Sequence, residues 1–213
     1  MSASVLPESV QPDGDAWEIV RDRAIEQVLP VVSTFGWTTR AFAAIGWSDA
    51  EVQACFPGGA VDMIEAYSAR ADRRMAAAAQ SLPVGLRTGE RVRALIAVRL
   101  ADLQTYRPAA RRAFAVLGLP ANRAVAARVL FATADAAWAA VGDRSTDTNW
   151  YTKRATLAAI YAATVLVWLG TDEPGNEQAM SFFDRRVATA ARLGRLRRRI
   201  QDGVSLKGFV RPS

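Results

Sequence analysis

Residues 143–170 read DRSTDTNWYTKRATLAAIYAATVLVWLG, and this stretch decides the fold. Ser145 and Thr146 offer side-chain oxygens to the free amides that open a helix, and Asp147 complements the positive end of its first turn. Trp150 and Tyr151 follow as vicinal aromatics, then Lys153 and Arg154, and from Ala155 to Leu169 there is no charge at all. A helix apolar on every side in a globular chain is expected to be surrounded by its neighbours. The uncharged run is shorter than the roughly 20 residues that cross a bilayer. It therefore predicts a core helix with the rest of the chain packed around it.

Composition agrees with a helical body. The 213 residues are 51% hydrophobic and 23% charged, enough for one large domain or two small ones with a sizeable core. Alanine is abundant and β-branched runs are scarce, a bias towards helix. The chain has no His and one Cys, Cys55, which removes Ser-His and Cys-His catalysis, internal disulfides and ordinary zinc sites. Without His the Glu-x-x-His pairs of a di-metal carboxylate site cannot be built either. No catalytic residue, metal ligand or cofactor is assigned, and an enzyme is disfavoured. Nine of the 27 Lys and Arg lie from Arg185 onward against one of the 21 acids, Asp202, so a slightly acidic body carries a basic tail. Such a tail attracts phosphate, of nucleic acid or of anionic lipid. Met1 to Gln11 has neither the basic region nor the apolar run of a signal peptide, which points to the cytoplasm.

Along the chain, residues 1–13 lack periodicity and read as a frayed, disordered leader. A helix from about Asp15 to Val32 sets Trp17, Val20, Ala24, Val28, Val31 and Val32 on one face, and Gly36 closes it. Short helices over Thr38–Ile45 and Ser48–Cys55 flank the Gly46-Trp47 turn, with Ser48 and Glu51 spaced as a capping box. A long helix follows Pro57-Gly58-Gly59 and reaches about Ala79. This succession resembles the helix-turn-helix head of TetR-type repressors. A reader helix needs donors for bases and cations for phosphates, whereas SDAEVQACF offers Asp49 and Glu51 and no Lys or Arg. Those carboxylates oppose a polyanion, so DNA is not expected as a partner.

Helices are next predicted over Gly89–Tyr106, Pro108–Leu117, Pro120–Val141 and Asn176–Arg199, with Pro108 and Pro120 at helix starts. Broad apolar faces run through Val92, Leu95, Ile96, Leu100 and Leu103, and through Val125, Val129, Leu130, Phe131, Ala134 and Trp138. Where Ala97, Ala101, Ala126, Ala127, Ala158, Ala159, Ala162 and Ala163 face one another, the helices either pack tightly or are held apart around an apolar pocket. Such a pocket would draw on Leu95, Leu103, Leu117, Leu130, Phe131, Ala134, Leu157, Tyr161 and Val165. On the last helix Met180, Phe183, Val187, Ala191 and Leu193 form an apolar edge. Beyond it Leu193, Leu196, Ile200 and Val204 share one side, with Arg195, Arg197, Arg198 and Arg199 over the others. That pattern suits an amphipathic helix on an anionic membrane, while Gly203, Gly208 and Pro212 suit a solvated tail.

The segment STDTNWYTKRATLAAIYAATVLVWL and the Phe182-Phe183-Asp184-Arg185-Arg186 cluster, with FGWTTRAFAAIGW and the Phe56–Gly59 turn earlier in the chain, closely resemble the ubiquinone-biosynthesis accessory family called coenzyme Q protein nine. The likeness runs from about Ala16 to Leu193. It implies an all-α, TetR-like homodimer that does not read DNA. The implied organisation is a head over residues 14–58, a larger lipid-binding and dimerisation domain over 59–193 and a basic tail over 194–213. It also implies a non-catalytic protein, peripheral to the inner membrane, that binds an isoprenoid or quinone lipid and presents it to the di-iron demethoxyubiquinone hydroxylase. The family's contact residues for that enzyme match at Asp147, Trp150, Tyr151 and Arg154. Side chains of adjacent helical residues point about 100° apart, so at least one of Trp150 and Tyr151 should be exposed. Arg195, Arg197, Arg198, Arg199 and Ile200 would meet the membrane. A TetR-type ligand-responsive regulator, its basic tail assisting DNA contact, is the alternative reading.

Overall fold

The structure is a computed structural model; it describes residues 14–145, 148–171 and 175–207, with side chains over 16–145, 149–171 and 175–194. The leader over residues 1–13 and the roles given to Thr146 and Asp147 lie outside the described residues, as do the side chains of Arg195, Arg197, Arg198, Arg199 and Ile200. Among the described residues there are nine α-helices and no strand. They are α1 (Gly14–Phe35), α2 (Thr39–Ala43), α3 (Asp49–Cys55), α4 (Ala60–Ala78), α5 (Thr88–Thr105), α6 (Arg107–Leu117), α7 (Arg123–Ala140), α8 (Thr148–Gly170) and α9 (Glu177–Lys207). The fold is the all-α one the sequence predicts.

Local chemistry sets the head. Gly36 has φ 71° and its amide donates to the Val32 carbonyl at 2.9 Å, ending α1 in the left-handed geometry that glycine tolerates best. Ser48 and Glu51 form both halves of the predicted capping box at the start of α3. Phe42 packs between Trp47 and Phe56, ring centroids 5.7 and 5.4 Å away. Trp47 donates its indole N–H to Gln27 on α1 at 3.0 Å, and Trp37 donates to the Ala109 carbonyl on α6 at 3.1 Å. The apolar core is consequently continuous from Ala24 in α1 to Phe183 in α9.

The helix at the centre is α4, not α8. It packs against α1, α5, α6 and α7, whereas α8 lies between α7 and α9. Ion pairs clamp α1 onto α4: Arg21 with Asp62, Arg70 with Glu26, Arg73 with Asp22. The expectation that α8 is buried on every side is overturned. Leu157, Tyr161, Thr164, Val165 and Trp168 face inward, but Ala155, Ala159 and Leu166 lie on the outer face, with Leu166 69% exposed. Its main neighbours are α7 and α9, with Gln104 of α5 and Arg107 of α6 reaching its inner side at Trp168, and these leave its outer face uncovered among the described residues.

The ends of α8 are held by polar groups. Before its first turn, the Ser145 hydroxyl donates to Asp143 at 2.7 Å. At the other end, Arg107 on α6 donates to the carbonyls of Trp168 (2.8 Å) and Thr171, and Arg111 to that of Leu169 at 3.0 Å. Cations thus satisfy carbonyls left unpaired where the helix stops. On α9 the predicted apolar edge holds only at its start: Met180 and Phe183 are buried, while Val187 and Leu193 are exposed. The α9 backbone continues through Gly194 and Gly203 to Lys207, beyond the predicted end at Arg199.

Candidate functional site

At the start of α8, Trp150 and Tyr151 meet edge to face with centroids 4.6 Å apart. Their fates differ. Trp150 is half-buried against Phe131, 5.8 Å between centroids, and the Arg154 guanidinium lies 4.1 Å from the centre of its ring. Tyr151 stands 66% exposed. Arg154 is itself buried, paired with Asp135 and, at 3.1 Å, with Asp143, so it braces the Trp150 ring rather than facing solvent. Lys153 donates to Asp143 at 2.8 Å and lies over Trp138. Hydrogen bonds from Lys153 and Ser145, opposed by desolvation and joined by one from Arg154, hold the Asp143 carboxyl well below the usual carboxylate range.

Two open grooves flank α8. The first, about 490 Å³, lies between α6, α7 and α8 and is walled by Phe114, Leu117, Val129, Leu130, Val165 and Leu166, with Arg111 its one charged lining residue. The second, about 390 Å³, lies between α5, α8 and α9 and mixes Val92, Leu157 and Phe183 with Glu90, Arg93, Lys153 and Asp184. Arg93 and Asp184 pair across it at 2.7 and 2.9 Å.

The nine residues proposed from sequence for an apolar pocket are dispersed. Leu117, Leu130 and Val165 wall the first groove, and Leu157 the second. Leu103 and Tyr161 turn inward to a chamber of about 20 Å³, which Leu117 and Leu130 also line. Phe131 packs on Trp150, while Leu95 and Ala134 are fully buried in the solid core and line neither groove.

Around the chamber is a polar group that the sequence reading overlooked. Arg99, 3% exposed, donates from Nε to Asp72 at 2.9 Å and from Nη2 to Ser68 at 3.1 Å, and Thr133 donates to Asp72 at 2.9 Å. Tyr67 and Tyr161 are 3% and 2% exposed beside it. Burial pushes the Tyr161 hydroxyl up to about 12, against the pull of Arg99, and pushes Tyr67 up as well, so both remain O–H donors at neutral pH. The visible signal was Arg99 itself, a charge four residues from Leu95 and from Leu103 on the inward face of α5. In the head, Asp49 and Ala50 are exposed on α3, and Cys55 is buried, its thiol pushed up to about 11 mainly by desolvation.

Comparison with known proteins meets this geometry at α7, α8 and the first part of α9. The COQ9 family model matches residues 124–194, which carry the aromatic patch and the α7 and α8 walls of the first groove. The resemblance is to COQ9. Ubiquinone biosynthesis protein COQ9, mitochondrial, of Bos taurus is 29% identical over 202 residues, covering 90% of this chain and 63% of the bovine protein. The Homo sapiens protein of that name is also 29% identical, covering 90% of this chain and 64% of the human one. The Schizosaccharomyces pombe protein is 29% identical over 180 residues. The chain thus spans a little under two thirds of the length of its mammalian COQ9 relatives. In fold it is similar to a TetR transcriptional regulator from Nitrosomonas europaea, with a TM-score of 0.65 and 22% identity over 81% of this chain and 98% of that one. The COQ9-like fold is TetR-like.

Proposed function

We propose that this chain serves ubiquinone biosynthesis, the process its COQ9 relatives are named for, as a non-catalytic accessory protein, and that it binds an isoprenoid or quinone lipid. The observation that carries the reading is the first groove. An elongated apolar ligand loses its water-facing surface against Phe114, Leu117, Leu130, Val165 and Leu166, and burial of such surface is favourable by about 25 cal/mol per Å². The second groove suits it less, because Glu90, Arg93, Lys153 and Asp184 would be desolvated by an apolar chain. Among the described residues no single helix is long and apolar enough to cross a membrane, so the reading has the chain lying at the membrane surface, its basic C-terminal segment towards anionic lipid.

The same reading has a homodimer present its ligand to a partner enzyme, by resemblance the di-iron demethoxyubiquinone hydroxylase. Exposed Tyr151, seated on the braced Trp150, supplies a rigid aromatic of the kind that anchors protein interfaces. The regulator reading is not favoured: acidic Asp49 is exposed on α3, where a DNA reader would need cations. Titration of the purified chain with an isoprenoid benzoquinone tests the proposal. Leu169→Glu in the first groove should abolish binding and Val187→Glu in the second should not. Equal loss from both variants, or no binding by the unmodified chain, would overturn it.

A further inference from the structure

The inner chamber explains a feature the open groove does not. Three buried donor atoms, Arg99 Nη1, Tyr67 Oη and Tyr161 Oη, have no hydrogen-bond partner among the described residues. Their side chains all line the same chamber of about 20 Å³. Buried donors without acceptors are costly, and three on residues that line one small space point to an acceptor that belongs there. The space is that of about one oxygen-sized group, since a water needs roughly 10–15 Å³ by the same measure. Phe114, Leu117, Val129 and Leu130 line both this chamber and the first groove, so one layer of side chains separates the two. Leu130 and Phe114 are only half-buried in that layer.

We propose that Arg99, Tyr67 and Tyr161 form a head-group site for one neutral oxygen acceptor, a quinone carbonyl or the hydroxyl of its reduced phenol, which enters between the Phe114 and Leu130 side chains from a ring and apolar chain lying in the groove between α6, α7 and α8. This rests on the lipid-binding reading above and adds to it the class of head. Neutrality follows from charge balance. Arg99 is already matched by Asp72 at 2.9 Å, and the nearby Asp102 by Arg74 at 3.1 Å. A phosphate would therefore bring an uncompensated negative charge beside the Asp72 carboxylate in a dry site. A carbonyl or phenol oxygen accepts the free N–H and O–H groups without adding charge. The three donors select for the oxygen because a hydrocarbon of equal shape would leave them unsatisfied.

The test uses the full chain and three probes: a dimethoxy-methyl-benzoquinone carrying two isoprene units, an isoprenoid hydrocarbon of matched length without oxygen, and phosphatidylglycerol. The double variant Tyr67→Phe, Tyr161→Phe removes two hydroxyls and keeps the rings. Its affinity for the quinone should fall by about tenfold, the loss expected for two ordinary hydrogen bonds, with hydrocarbon affinity unchanged. In the unmodified chain, the infrared carbonyl stretch of the bound quinone should move to lower frequency; this readout stands even if the double variant does not fold. An unshifted stretch, or unaltered quinone affinity in a folded double variant, would remove the head-group site while leaving groove binding of lipid intact. Tighter binding of phosphatidylglycerol than of quinone would overturn the neutral head. Binding of no probe by the unmodified chain would overturn the lipid reading itself and the site with it.

Discussion

Helices α4 and α8 exchange the places their compositions suggest. Helix α4 carries Asp62, Glu65, Arg70, Asp72, Arg73 and Arg74, yet it packs against four other helices. Helix α8 is uncharged from Ala155 to Leu169, yet it leaves Ala155, Ala159 and Leu166 on the outside. A charged helix can be central if its cations and carboxylates find one another, as Arg70 finds Glu26 and Asp72 finds Arg99. An apolar helix can be peripheral if something else covers it, and exposed apolar surface beside a groove is where a ligand or partner gains most. The charge on α4 serves the fold; in the function proposed above, the lack of charge on α8 serves binding.

The largest effect separating the two should come from Asp72→Ala. It strands the Arg99 guanidinium in the core, and denaturant unfolding should show a loss of about 3–5 kcal/mol. Smaller is Asp143→Asn beneath the α8 aromatic patch, expected to cost about 1–3 kcal/mol through weakened charge-assisted bonds to Lys153 and Arg154. Its pH dependence has a definite sign. Because the Asp143 carboxyl is held below its ordinary value in the fold, its stabilisation is present above about pH 4 and is lost as the pH falls towards the depressed value. Melting temperature against pH should therefore fall in acid more steeply for the unmodified chain than for Asp143→Asn. On the outer face of α8, Leu166→Glu should alter stability by about 0.5 kcal/mol or less, because the side chain is 69% exposed, while sharply weakening quinone binding in a titration. Smallest for the fold is Tyr151→Lys, which should leave the melting curve unchanged and weaken capture of the hydroxylase in a pull-down. Trp150 is a poorer probe, since the Arg154 guanidinium rests on its ring.

Much of this arrangement was legible beforehand where the signal is local. The capping box at Ser48 and Glu51, the stop at Gly36 and the helix start before Trp150 are short-range hydrogen-bond and dihedral requirements, and each stands within two or three residues of its expected place. The exposure of one of two vicinal aromatics also followed from helical geometry. What could not be read depends on which helices become neighbours. The apolar period of α8 carries no record that α7 and α9 are its main neighbours, and the alanines of α7 and α8 fit a groove as well as a tight seam. The partnership of Asp72 on α4 with Thr133 on α7 spans 61 residues, beyond any spacing rule. Gly203 suits a solvated tail by its sequence, but an isolated glycine costs a helix only about 1 kcal/mol relative to alanine, and the α9 backbone continues through it to Lys207.

What matters most is whether the uncharged outer side of α8 holds a greasy molecule. Organic extraction of the freshly purified chain, followed by mass spectrometry, asks this directly when run beside the double variant Leu166→Glu, Leu169→Glu. An isoprenoid or quinone species near one per chain in the unmodified protein, absent from the variant at equal folded yield, is the predicted result. Extracts free of lipid in both, or the same lipid retained by the variant, would contradict it.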